Sequence, residues 1–222
     1  MKTKKRLFSF LLALATVLAL ITVPAKKVEA GSAPAKVRTV VCYQWEPDTA
    51  NPVIAWKGVS ADGYQVEIKT LGKKLVKRVT TSGTMYYFYN LNTIKNAGFI
   101  VRVRAYNNVG SKKKFGSWSA AKVIVPQAKG GAKHTYYTST ATLSWKPVKN
   151  AVGYRIYILT ESNGTYKLKS YKKVGKQVTS ITVPRNLGKV VISPDVKVKG
   201  KTHKFVVKNF YRFYYVNVNW SF

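Results

Sequence analysis

The chain has 222 residues, with 39 lysines and arginines against 7 aspartates and glutamates, and a net charge of +32. That length holds one or two domains. A single cysteine, Cys42, excludes an internal disulfide, so packed cores must hold the fold together.

The first thirty residues read as a targeting segment. Lys2, Lys4, Lys5 and Arg6 form a positive start, Leu7 to Val23 is almost wholly apolar, and Val28-Glu29-Ala30 supplies a small-residue cleavage site. The apolar run, about 17 residues, stands at the lower edge of a membrane span, and nothing like a stop-transfer pattern follows. Cleavage after Ala30 is therefore expected, with no stable membrane span afterwards. Residues 31–222 then hold 33 basic and 6 acidic residues, a net charge of +27. A small soluble domain needs only about 2–8 charges for solubility. Such a field points to an anionic neighbour.

The elements that follow are short strands. Val53–Trp56, Tyr64–Lys69, Leu75–Val79, Met85–Tyr89, Phe99–Tyr106 and Ala121–Val125 are β-branched or aromatic and are punctuated by Gly, Asn, Ser and Pro. Phe99, Val101, Val103 and Ala105 alternate with Arg102, Arg104 and Tyr106, so the first set faces a core. Glu67 alternates outward, where it would meet Arg102 or Arg104 in a surface ion pair of small value. Residues 127–133, with Gly130-Gly131, read as a linker with hinge freedom. Beyond it come Thr140–Trp145, Tyr154–Thr160, Tyr166–Tyr171, Ser180–Val183, Lys204–Phe210 and Tyr214–Trp220, with Asn163-Gly164 as a hairpin turn. Cys42 suits a buried strand position; a reactive thiol or an intermolecular link is the alternative.

One internal repeat ties the halves together. Trp56-Lys57-Gly58-Val59 leads to Gly63-Tyr64-Gln65-Val66-Glu67-Ile68, and Trp145-Lys146-Pro147-Val148 leads to Gly153-Tyr154-Arg155-Ile156-Tyr157-Ile158. A repeat of this length is a whole domain. Many short strands with almost no helical periodicity indicate an all-β fold of two sandwiches. Trp56, Gly63-Tyr64-x-Val66-x-Ile68, Leu91, Phe99-x-Val101-Arg102-Val103-Arg104-Ala105-Tyr106-Asn107 and Gly116-Ser117-Trp118-Ser119 together resemble a fibronectin type III domain. The likeness is greatest to the variety found in secreted and surface proteins of Gram-positive anaerobic bacteria. The resemblance implies immunoglobulin-like sandwiches over residues 31–126 and, more divergently, 134–222. In the second, Lys204-Phe205-Val206-Val207-Lys208 would serve as the sixth strand. It also implies a spacer, adhesive or carbohydrate-associated role rather than catalysis, although fold does not fix function.

No catalytic set stands out. Glu46, Asp48, Asp62, Glu67, Glu161 and Asp195 are not placed together by strand register, as paired glycosidase carboxylates would be. His134, His203 and Cys42 lack metal-ligand spacing, and no phosphate-cradling glycine loop occurs. The expectation is a non-enzyme without cofactor or metal.

Two surfaces remain as candidates. Lys112, Lys113 and Lys114 fall at a hairpin tip. Lys197, Lys199 and Lys201 alternate and would share one face if extended, and Lys167 and Lys169 do the same around Leu168, with Lys172, Lys173 and Lys176 close behind. These suit an anionic polymer: teichoic acid, an acidic polysaccharide or, without sequence specificity, nucleic acid. Trp45, Tyr87, Tyr89 and Tyr157 are the candidate exposed rings for stacking on a sugar. The expected protein is a secreted surface-interaction or adhesion protein held near anionic cell-wall or extracellular polymers. The alternative is a carbohydrate-binding accessory module using its aromatics.

Overall fold

The repeat that ends in Gly-Tyr marks the centre of each half. In the computed structural model, which describes residues 32–45, 50–135, 137–210 and 213–219, Trp56 and Trp145 each close the second strand of their half. Each is nearly buried and packs on the tyrosine of its own repeat: Trp56 on Tyr64 at 5.4 Å, Trp145 on Tyr154 at 5.5 Å. The Tyr64 hydroxyl accepts from the Val59 N–H (2.9 Å) and donates to its carbonyl (2.8 Å); that of Tyr154 accepts from the Val148 N–H at 3.0 Å. Each repeat thus packs two rings across the sandwich and ties down the loop between them. The preceding glycines are required by close approach. A Cβ on Gly63 would meet the Tyr106 hydroxyl at 2.5 Å, and one on Gly153 the Val174 carbonyl at 2.9 Å.

The first half contains β1 (Val40–Gln44), β2 (Val53–Trp56), β3 (Gly63–Thr70), β4 (Leu75–Thr81), β5 (Met85–Tyr87), β6 (Phe99–Val109), β7 (Lys112–Phe115) and β8 (Lys122–Ile124). They make one sheet in the order β1-β2-β5 and another in the order β4-β3-β6-β7, with β8 also on β6. The second half contains β9 (Gly130–His134), β10 (Thr140–Trp145), β11 (Ala151–Ser162), β12 (Thr165–Gly175), β13 (Ser180–Pro184), β14 (Lys189–Val198), β15 (Lys201–His203) and β16 (Val216–Asn217). Its sheets run β13-β10-β9 and β12-β11-β14-β15, with β16 on β14. Strand for strand the two arrangements are the same, and the named pairs within the sheets are antiparallel. Each half has its own core, the first around Ile54, Ile68, Phe99 and Val103, the second around Leu143, Tyr154, Ile156 and Ile192.

Three expectations change. The sixth strand of the second sandwich is Lys189–Val198, not Lys204–Lys208. It lies beside β11 as β6 lies beside β3. Pro194 argues against a central strand in the sequence, but its nitrogen faces the edge away from β11. Ile192, two residues earlier on that same edge, gives its carbonyl to the Ala128 N–H instead (2.9 Å). The Gly130-Gly131 segment is not a hinge but the start of β9, paired with β10 from Trp145 to Ala141. A Cβ on Gly130 would strike the Ser144 carbonyl. Finally, Tyr214–Trp220 forms only the two-residue β16 within the described residues. The Asn163-Gly164 turn is as expected: φ of 49° and 69° at the two central residues matches the mirror-image turn that joins twisted strands. The targeting segment, Glu46 and Asp48 lie outside the described residues, in which no helix is long and apolar enough to cross a membrane.

Candidate functional site

The acids decide how much of the positive charge is left uncompensated. Four lie among the described residues: Asp62, Glu67, Glu161 and Asp195. Glu67 is not the exposed partner expected on the outer face of β3, since its side chain is wholly covered. The register places Arg78 of β4 on one side of it and Arg102 of β6 on the other. Arg102 Nε donates to Oε1 at 2.8 Å, Arg78 Nε to Oε2 at 2.9 Å, and Lys69 Nζ lies 3.0 Å from Oε1. Trp118 roofs this array, with the Arg102 and Arg104 guanidiniums 4.3 and 4.5 Å from its ring centre. Burial pushes the Glu67 carboxyl up, but the hydrogen bonds from Arg78, Lys69 and Arg102 outweigh it and hold the pKa at about 2.

Asp195 is spent in the same way. It is 3% exposed and accepts from Arg155 Nε at 2.8 and 3.0 Å; that hydrogen bond raises the Arg155 pKa above its ordinary value. Asp62 accepts from the Asn108 N–H at 2.6 Å, and Glu161 stands exposed beside the Asn163-Gly164 turn. The two buried carboxylates therefore neutralise arginines of their own sheets. Outside these clusters, Lys112, Lys197, Lys199 and Lys201 are among the lysines that stand exposed.

The lysine groups occupy separate places. Lys112, Lys113 and Lys114 are exposed but start just past the hairpin tip, which is Gly110-Ser111. They alternate: Lys113 lies over the Tyr106 ring at 4.8 Å, while Lys112 and Lys114 take the other face. Lys197, Lys199 and Lys201 are exposed too, yet they are not one extended stripe. Lys199-Gly200 is a tight turn with φ of 48° and 79°, and Lys201 begins the returning strand opposite Val198. On β12, Lys167 and Lys169 do share a face, opposite Thr160 and Ile158, with Lys172 opposite Ile156 beyond a bulge.

The aromatic candidates divide. Tyr87 and Tyr89 are 50% and 68% exposed at the end of edge strand β5. Trp45 is buried instead, edge-on to Phe99 at 4.9 Å, because it closes the first core. Tyr157 is also buried, though it points off the outer face of β11 as expected. The cause is a segment whose role the sequence did not reveal. From Lys204 to Phe210 the chain crosses that outer face, and Phe213 packs there as well. The Phe205 N–H donates to Ser193 Oγ (3.1 Å), and Phe205 packs with Tyr157, Leu159, Val191 and Phe210 into a third apolar cluster. The unbroken apolar runs Tyr157-Ile158-Leu159 and Val190-Val191-Ile192 were the available signal, since only a strand covered on both faces carries them. Burial raises the Tyr157 pKa.

This strap also joins the sandwiches. Phe210 forms a parallel bridge with Cys42 and packs on the first core. Asn209 Nδ2 donates to the Val123 carbonyl at 3.3 Å. The Gln127 amide is held from both sides by the Tyr214 backbone, and the Tyr214 hydroxyl donates to the Gly130 carbonyl at 2.6 Å. Leu71 and Val123 of the first half pack against the second core, and the Lys149 N–H donates to the Asn96 carbonyl at 2.8 Å. Beside that last bond a cleft of about 490 Å³ opens. One wall carries Thr70, Leu71 and Thr93, the other Lys149, Lys197 and Lys199.

Cys42 is buried, which pushes its thiol far up and away from the reactive thiolate. Burial, then the nearby Lys201 charge, lowers the His203 pKa. Among the described residues no group of three or more His, Cys, Asp or Glu side chains could hold a metal ion.

No protein-family model and no curated protein matches the chain. Among solved structures, it is similar to the FN1–FN3 domains of chicken CNTN1, with 19% identity over 79% of this chain and 67% of that one, and a TM-score of 0.37. A two-domain fibronectin type III segment of chicken tenascin matches at 18% identity over 78% of this chain and 97% of that one (TM-score 0.32). The central fibronectin III array of RIM-binding protein matches at 15% over 79% and 61% (TM-score 0.30). The all-β tandem assignment rests on the strand order above and not on these likenesses.

Proposed function

We propose that this chain is a secreted, non-catalytic surface-interaction protein built of two fibronectin type III-like modules. Its positive surface holds it on an anionic cell-wall or extracellular polymer. One observation carries the reading: the buried carboxylates Glu67 and Asp195 are consumed by internal arginines, while residues 31–222 carry +27. Exposed lysines spread over both sandwiches then give the surface a net positive field. A flexible polyanion meeting them releases its counterions, and that release drives binding. Lys112, Lys113, Lys114, Lys197, Lys199 and Lys201 are the residues assigned to this contact. Teichoic acid and acidic polysaccharide fit it, and nucleic acid would bind by its backbone alone.

A second reading, stacking on a neutral glycan, keeps Tyr87 and Tyr89, whose rings are exposed. It loses Trp45 and Tyr157 to the cores. Retention of residues 31–222 on purified walls, neutral glycans and DNA at two salt concentrations separates the two. Binding to walls or DNA that collapses at the higher salt supports the charge-driven reading. Salt-insensitive retention on a neutral glycan replaces it with the aromatic one.

A further inference from the structure

We infer that the cleft between the two sandwiches is the seat for a single oxyanion of the polymer, and that this oxyanion is a phosphate of a flexible chain without bases. The inference rests on the charge-driven reading above and gives it a place. The cleft, about 490 Å³, has no carboxylate and no aromatic ring among its lining residues. Three lysines gather on one wall. Lys149 and Asn150 sit in the turn entering β11, with Asn150 at a φ of 61°, and Lys197 and Lys199 sit at the turn leaving β14. Three like charges around one hollow repel each other until an anion enters, and a concave wall of low polarizability concentrates their field.

The opposite wall supplies hydroxyls. Thr70 Oγ1 already accepts from the Lys74 N–H at 3.1 Å, so its own proton is left to donate outward. Thr93 lines the same cleft. Lysine ammoniums as point charges, with hydroxyl donors lining the same cleft, suit a tetrahedral phosphate. The missing rings matter equally. Single-stranded nucleic acid gains much of its affinity by stacking its bases on aromatics, and sugars stack likewise, so this cleft offers their bases and rings nothing. The walls are also preset, by the Lys149–Asn96 backbone bond and by the strap, so little ordering opposes entry.

The test compares residues 31–222 with two triple variants of equal charge. The first is Lys149→Gln/Lys197→Gln/Lys199→Gln. The second is Lys36→Gln/Lys57→Gln/Lys208→Gln, at exposed positions outside the cleft. Affinity is read by calorimetry against short inorganic polyphosphate, dextran sulfate and oligo-dT at fixed salt, after thermal unfolding confirms that each variant is folded. The expected result is a loss of polyphosphate affinity about tenfold greater in the cleft variant than in the other. Equal losses would overturn the cleft and leave the charge-driven reading standing. Failure of the unsubstituted protein to bind any polyanion at low salt would remove both. A preference for oligo-dT or dextran sulfate over polyphosphate, lost in the cleft variant, would overturn the base-free phosphate assignment.

Discussion

At the scale of single residues, Glu67 is the most consequential side chain in the first sandwich. Its folded pKa of about 2 lies below the ordinary 4.5. The sign follows from linkage: the stabilisation is complete above the unfolded value and is lost as pH falls through the folded one. Stability should therefore decline between about pH 5 and pH 2, by up to about 3 kcal/mol from this group. Glu67→Gln should cost about 2–3 kcal/mol at neutral pH, because Arg78, Arg102 and Lys69 are left around an uncharged amide. In urea unfolding the variant and the parent should differ at pH 7 and converge near pH 2; a constant difference would show that the charge of Glu67 is not what stabilises the sheet. The repeat tyrosines make a paired prediction. Tyr64→Phe and Tyr154→Phe each leave a loop N–H without its acceptor, costing about 1–2 kcal/mol. The two sites belong to separate cores, so the double variant should show the sum. A double variant no less stable than either single one would contradict that separation.

Elements were legible where local pattern and tertiary environment agree. The Trp-to-Gly-Tyr repeat located β2, β3, β10 and β11, because a core Trp–Tyr pair leaves a spaced signature and a glycine lies where a neighbouring strand comes close. The alternation in Phe99–Tyr106 gave the inward face of β6 for the same reason. Pattern misled at β14, where Pro194 looks prohibitive until its nitrogen is seen to face away from β11. It misled again at Lys204–Lys208, whose alternation serves a cover over another strand rather than a strand of the sheet. β1 gave little signal, since Val40–Gln44 is short. Of the candidate binding residues, exposure of the lysines and of Tyr87 and Tyr89 was readable, but coverage of Tyr157 depends on a segment about fifty residues away in sequence, as Phe205 and Phe210 are. The strap makes a test at this scale. Phe205→Ala should cost about 3–5 kcal/mol by emptying the third apolar cluster. It should also let the Tyr157 hydroxyl titrate closer to its ordinary value, read from its ring carbon resonance. Unchanged stability and titration would mean that the strap lies on the sheet without packing into it.

At the scale of the whole molecule, the same uncompensated charge should act on stability and on binding with opposite signs. Residues 31–222 at +27 repel themselves in the folded state, where the lysines are held closer together than in the open chain. Chloride screens that repulsion, since the Debye length falls from roughly 14 Å at about 50 mM to roughly 5–6 Å at about 300 mM. Folding should gain roughly 1–2 kcal/mol over this range, a rise of about 3–6 °C in melting temperature. The Glu67 and Asp195 clusters oppose this only weakly, because their carboxylates are covered and screening reaches them poorly. Over the same range, affinity for a polyanion should fall about a hundredfold if three phosphates are engaged. Chloride is the right salt, since sulfate would stabilise by exclusion from the surface and hide the charge effect. A melting temperature that falls as chloride rises would mean that the net attraction of ion pairs exceeds lysine repulsion, and that the surface is not the uncompensated field on which binding depends. A rising melting temperature with steeply falling affinity would tie both to the same lysines: their repulsion costs the free protein stability, and a bound polyanion relieves it.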